Sequence, residues 1–256
     1  MAAKLLSQVV DFYQKRYREM SGVPQGDGTP IEQMIPALIA LPPEVYGAYA
    51  FRRDPIQGRF DRQQRKELIA RALACGREQA EEYRRRFGAL RPSEIARRLG
   101  LKLDSPSIPE GGGRVLFAQF TEPDRISVYQ DCLDRAAETI RRHHLSPLLG
   151  HAELREVLIA HELFHELEYR EGERLFTRSY RVRLWKLGPF VNDSRLGCLS
   201  EIGAMAFAQT LAGISFPPNV LDVLLVYGYQ PEAACALYTE ICTLSAKEEE
   251  KIEASY

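Results

Sequence analysis

The seventeen residues from Glu153 to Tyr169, ELREVLIAHELFHELEY, run without a proline or a glycine and carry His161 and His165 four positions apart around Glu162. Nothing in that stretch breaks a helix. On a helix, residues four apart stand about 40° from each other and one turn up. Both imidazoles therefore address one point in space. Ala160, Leu163, Phe164 and Leu167 fall in the opposite arc, which is the face to pack on a core. Any fold of this chain thus has to bury one side of the helix and leave the histidine side open. Zinc favours imidazole nitrogen at about 2.0–2.1 Å, so the histidine pair is a candidate metal site. Glu162 points about 100° away from His161, too far round for an obvious third ligand. It can still reach a water at the ion and act there as a general base.

Two histidines and a water leave a catalytic zinc one protein ligand short. The chain has five histidines, and none follows His165. The five cysteines (Cys75, Cys132, Cys198, Cys235 and Cys242) are widely spaced and contain no C-x-x-C pair. That pattern supports neither a disulfide framework nor a cysteine-based zinc knuckle. The third ligand is then a carboxylate, or His151 from upstream. Glu201, in LSEIGAMAFAQTL, is the best candidate. It shares one helical face with Ala204, Met205 and Ala208, and that mostly small face lets its helix come close to the motif helix. Acidic alternatives are Glu168, Glu171, Glu173 and Asp193. Glu168 lies on the motif face one turn further on, where it can orient a histidine.

With 256 residues, 45% of them hydrophobic and 27% charged, the chain is long enough to bury a substantial core and is not a disordered one. A net charge of −1 leaves no global field to draw it to nucleic acid or to anionic lipid. The first sixteen residues, MAAKLLSQVVDFYQKR, are broken by polar side chains and do not read as a signal peptide. The longest apolar runs, Met34–Pro43 and Val220–Tyr227, are too short to span a bilayer. The expectation is a soluble cytoplasmic protein whose partner is a protein or peptide substrate, with neither a membrane nor nucleic acid involved.

Periodicity and punctuation predict helices over 2–19, 61–87 (closed by Gly88), Pro92–Leu99 (closed by Gly100), 131–143, 151–170, 199–212, 219–228 and 231–250. Strands are expected at Val115–Phe120 and Ile126–Tyr129. Ser21–Pro30 reads as a loop, Met34–Leu41 as a short apolar segment, and Arg170–Leu196 as a long connection rich in arginine and aromatics. Residues 44–60 give no clear signal. The fold class is α+β, mostly α, with a small central sheet. Residues 1–60 form an N-terminal helical extension, and 61–256 the domain with its C-terminal helices.

The order of EIARRLGL before a strand, ISVYQ at the end of a two-strand stretch, HELFH, and then a Glu-bearing helix rich in Ala and Phe resembles the ImmA/IrrE-type zinc metallopeptidases. The resemblance covers about residues 68–217. It implies a zincin-like, gluzincin-type core in which His161, His165 and Glu201 bind zinc and Glu162 activates water. Phe164 stands where that family usually has glycine. The function so implied is zinc-dependent peptide-bond hydrolysis by a regulatory intracellular endopeptidase. Candidates for a second electrophile at the transition state are Tyr169, which lies on the motif face where it can equally be a structural aromatic, Tyr180, Arg181 and His151, and the sequence does not choose among them. An extended peptide is expected to pair along the sheet edge at Val115–Phe120. A second reading is a metal-stabilised interaction module with little turnover. Glu162 speaks against it, because a structural zinc needs no base.

Overall fold

The computed structural model describes residues 26–106, 117–149, 153–188 and 190–253. Its helices are α1 (Ile31–Ile39), α2 (Pro43–Arg52), α3 (Arg62–Phe87), α4 (Pro92–Arg98), α5 (Gln130–Arg142), α6 (Ser146–Leu149), α7 (Leu154–Glu171), α8 (Phe176–Ser179), α9 (Gly197–Ala212), α10 (Val220–Tyr227) and α11 (Pro231–Glu253). Its strands are β1 (Lys102–Asp104), β2 (Ala118–Thr121), β3 (Arg125–Val128), β4 (Arg181–Leu187) and β5 (Phe190–Arg195). The described residues are thus mostly helical with a small sheet, as the periodicity predicts. None of their helices is long and apolar enough to cross a membrane.

The long helix α3 begins where the sequence provides a reciprocal cap. The Asp61 carboxylate accepts from the Gln64 N–H at 2.8 Å, and the Gln64 side chain accepts from the Asp61 N–H at 2.9 Å. The helix stops at Gly88, whose φ of 65° suits a residue without a Cβ. α9 packs between α3 on one side and α7 on the other. Two glycines permit that closeness. A Cβ built on Gly76 of α3 would lie 2.1 Å from the Gly203 carbonyl oxygen of α9. A Cβ on Gly203 would lie 2.8 Å from the ring of Phe164 on α7. The Phe164 ring therefore occupies the space that Gly203 leaves. A bulky residue on the motif helix is thus accommodated by a missing side chain on the facing helix.

The three-stranded sheet has the order β1-β3-β2, with β1 parallel and β2 antiparallel to β3. β2 is therefore an edge strand, and it lies against α7. Its described length is Ala118–Thr121, shorter than the expected Val115–Phe120, and Val115 and Leu116 lie outside the described residues. β1 stands where a strand is expected after the EIARRLGL helix, and its three residues are too few to show a period-2 pattern from which bounds could be read.

Two further differences concern the connections. Residues 44–60, which gave no clear signal, hold α2 and a 3-10 turn at Gln57–Arg59. The expected open connection Arg170–Leu196 instead contains α8 and the β4-β5 hairpin. A bulge between Arg183 and Trp185 shifts the register there, so the alternation that betrays a strand is interrupted in mid-run. Among the N-terminal residues, Ile31, Met34, Ile35 and Leu38 of α1 lie in the same buried cluster as Leu221, Leu224 and Ile241. The helix expected over 2–19 lies outside the described residues.

Candidate metal centre

α7 carries the motif as its sequence demands. Ala160, Leu163, Phe164 and Leu167 are buried, and His161 and His165 remain partly accessible on the opposite side. α9 brings Glu201 over them. Its start is fixed by a buried residue that the sequence did not single out. Asp54, just beyond α2, accepts from the Cys198 N–H at 3.2 Å and from the Ile56 N–H at 3.1 Å. A carboxylate on the exposed amides of a helix N-terminus stabilises that end, one turn before Glu201.

The result is a triangle of three side chains. His161 Nε2 stands 3.1 Å from His165 Nε2 and 3.4 Å from Glu201 Oε2, and His165 Nε2 is 3.7 Å from Glu201 Oε1. Two ligand atoms at ~2.05 Å from a tetrahedral ion stand about 3.3 Å apart. The 3.1 and 3.4 Å separations are close to that value, one ligand atom from each of the three side chains lies within 4.8 Å of the others, and a donor set of two imidazoles and a carboxylate suits zinc. Among the described residues this is the group placed to hold a metal ion. Of the acidic alternatives, Glu171 pairs with Arg174, Glu173 with Arg181, and Asp193 with Arg183. His151 lies outside the described residues.

The electrostatics bind the triangle together. Burial acts to lower the His161 pKa, but the hydrogen bond and charge of Glu201 outweigh it and hold the imidazole above its usual value. Burial acts to raise Glu201, and the same contact with His161, aided by His165, holds it well below the usual carboxylate range. The two groups therefore pair as imidazolium and carboxylate, His161 Nε2 to Glu201 Oε2.

Glu168 is 2% exposed and belongs to the support of this site rather than to the triangle. It accepts from Thr177 Oγ1 at 2.5 Å and from the Ser200 hydroxyl, and it faces His165 Nδ1 at 3.4 Å. Burial acts to raise its pKa, but the bonds from His165, Ser200 and Thr177 lower it. An ionised carboxylate only accepts, so His165 Nδ1 carries the proton and Nε2 presents its lone pair to the triangle. Ser200 is legible as the neighbour of Glu201, whereas nothing in the sequence marks Thr177. Replacing Glu168 by glutamine keeps the volume and removes the charge. Zinc affinity is expected to fall about ten-fold or more, read by competition against a fluorescent chelator. Unchanged affinity would remove Glu168 from this role.

Glu162, beside His161, is buried, and its Oε2 accepts from the backbone N–H of Phe120 at 2.6 Å. That amide lies on the edge of β2 not paired to β3, so the sheet edge and the candidate base are in direct contact. Tyr169 is 47% exposed, with its ring 5.9 Å from that of Phe120. It stands at the same edge, one turn beyond His165. Tyr180 packs against Phe176, and Arg181 is held by Glu173. A cavity of about 370 Å³ opens beside Glu201, walled by Tyr46 and Tyr49 of α2, Met205 of α9, and Pro217 and Asp222 at the start of α10. Burial pushes the Asp222 carboxyl up to about 6, against the opposing charges of His161 and Arg53. The sequence did not single out Asp222. It sits inside an apolar run, where an acid has no periodic signature. No family model, curated protein or solved structure matches the chain.

Proposed function

We propose that this chain is a zinc-dependent peptidase with a zincin-like core, of the kind its sequence resemblance to the ImmA/IrrE-type enzymes implies. His161, His165 and Glu201 would hold the ion, and Glu162 would act as the base. The observation that carries the reading is the convergence of the His161 and His165 Nε2 atoms, 3.1 Å apart, on the two Glu201 oxygens at 3.4 and 3.7 Å, with the buried Glu162 carboxylate beside them. Zinc bound there supplies a Lewis acid that acidifies water and polarises a carbonyl.

The chain's own groups supply the rest. Glu162 takes the proton of the attacking water and delivers it to the leaving amine. The Phe120 amide holds the carboxylate in place for both transfers. Beside the Phe120 amide, which Glu162 holds, the outer edge of β2 would offer an extended peptide its remaining main-chain groups. Tyr169, at that edge, is placed to donate to the carbonyl oxygen as charge develops on it. The cavity beside Glu201 receives a substrate side chain next to the scissile bond.

Metal removal and return test the reading. Protein stripped with a chelator is expected to take up one equivalent of zinc and to recover hydrolysis of a protein or peptide substrate in step with it. His161→Ala serves as the protein that takes up none. Failure of the stripped wild-type chain to bind zinc would overturn the metal site. Stoichiometric zinc without hydrolysis of any peptide in a broad library would favour the interaction module instead.

A further inference from the structure

The β4-β5 hairpin, inserted between the motif helix and the Glu201 helix, has two unlike halves. Near its base Val182 packs against the cluster that contains Phe60 and Leu196. Beyond the bulge the pairs are Trp185 with Asn192, Lys186 with Val191, and Leu187 with Phe190. Residues that alternate along a ribbon face opposite sides. Trp185, Leu187 and Phe190 therefore share one face, and Val191 lies on the other beside Lys186. All four apolar residues are exposed: Trp185 51%, Leu187 74%, Phe190 69% and Val191 43%.

Charge lies along the hairpin behind this apolar tip, with Lys186 at the tip itself and Arg181 opposite Arg195 at the base. Arg181, Arg183, Lys186 and Arg195 lie on the hairpin, and the Arg59 guanidinium donates to the Arg183 carbonyl at 3.4 Å. Against them stand Asp193, paired with Arg183, and Glu173, which both Arg181 and Arg195 reach. Among the described residues no carboxylate lies within ion-pair distance of Lys186. The four basic residues of the hairpin outnumber its one acidic residue, Asp193, and Lys186 is the cation nearest the tip.

We infer that the hairpin tip docks on an anionic phospholipid surface. Apolar side chains on both sides of a two-stranded ribbon leave no concave wall for a protein knob. A bilayer interface, which closes around an inserted tip, satisfies both sides at once. Tryptophan favours the headgroup level, the lysine stem lets its ammonium reach the phosphates, and the arginines stand behind them as a collar. The absence of a spanning helix does not bear on this, because the contact is with the surface. The inference stands apart from the metal site and holds with or without peptidase activity.

Trp185 is the chain's single tryptophan, so intrinsic fluorescence reports on the tip alone. The full chain is mixed with vesicles of phosphatidylglycerol and phosphatidylcholine, and separately with vesicles of phosphatidylcholine alone. The expected result is co-sedimentation and a shift of Trp185 emission to shorter wavelength with the anionic vesicles only, weakening as salt rises. The double variant Leu187→Ser/Phe190→Ser alters only exposed side chains and is expected to bind about ten-fold more weakly or worse. Lys186→Glu is expected to weaken binding while leaving the apolar tip intact. Absence of any shift and of pelleting with anionic vesicles would overturn the inference, as would equal binding by the double variant. A shift that follows protein concentration without vesicles would assign the tip to a second copy of the chain instead.

Discussion

Replacing Glu162 by glutamine is expected to lower peptide hydrolysis by roughly 10²- to 10⁴-fold, the range for a positioned general base, while zinc stoichiometry and melting temperature stay at wild-type values. The carboxamide has nearly the volume of the carboxylate, and its oxygen can still accept from the Phe120 amide. The packing of α7 on β2 therefore survives. What is lost is the capacity to take up a proton. The loss should fall on kcat, because the group works on the reacting water and not on the ground-state peptide. The contrast with His161→Ala separates the two parts of the site, since that change removes a ligand and costs metal and activity together. Hydrolysis by Glu162→Gln within a few-fold of wild type would remove Glu162 as the base. A lowered melting temperature would instead give its bond to Phe120 a mainly structural meaning.

The parts of the molecule legible in the sequence are those whose cause is local. The motif helix, its buried back face and the long α3 with its terminal glycine follow from periodicity and capping, which depend on neighbours in the chain. Glu201 was reached by elimination, from the scarcity of histidine, and by the small residues on its face. The Asp54 cap on α9 and the Thr177 bond to Glu168 were not legible, because each joins elements far apart in sequence and neither residue type is unusual where it stands. The hairpin was hidden by its bulge. Its exposed tip also violates the in-and-out alternation by which a strand is recognised. The place of the Phe164 ring makes sense only once Gly203 is seen opposite it, a compensation across two helices that no local rule anticipates.

That same helix contact carries the largest expected effect on stability, at Gly76. A Cβ there would stand 2.1 Å from the Gly203 carbonyl oxygen and 3.0 Å from the Ala206 Cβ, so the first obstacle is backbone and cannot rotate away. Gly76→Val adds two methyls beyond that Cβ. α3 and α9 must move apart, and overpacking of this kind costs roughly 1–3 kcal/mol or more. The gain in helix propensity over glycine returns only a few tenths of a kcal/mol. At about 2–4 °C per kcal/mol for a chain of this size, a melting temperature lower by about 2–12 °C is the expected reading. The displacement also reaches the metal, since Gly203 lies two residues beyond Glu201 on the helix that is pushed. A shift of about 1 Å is enough to open a triangle whose ion sits ~2 Å from each atom, so zinc affinity should fall along with stability. Gly58→Ala is the control. Nothing lies within 4 Å of a Cβ at Gly58, and the change should stay within about 0.5 kcal/mol of wild type. Wild-type melting and zinc affinity in Gly76→Val would mean that α3 does not press on α9 at this point, and that the position of Glu201 over the histidines is set by some other contact.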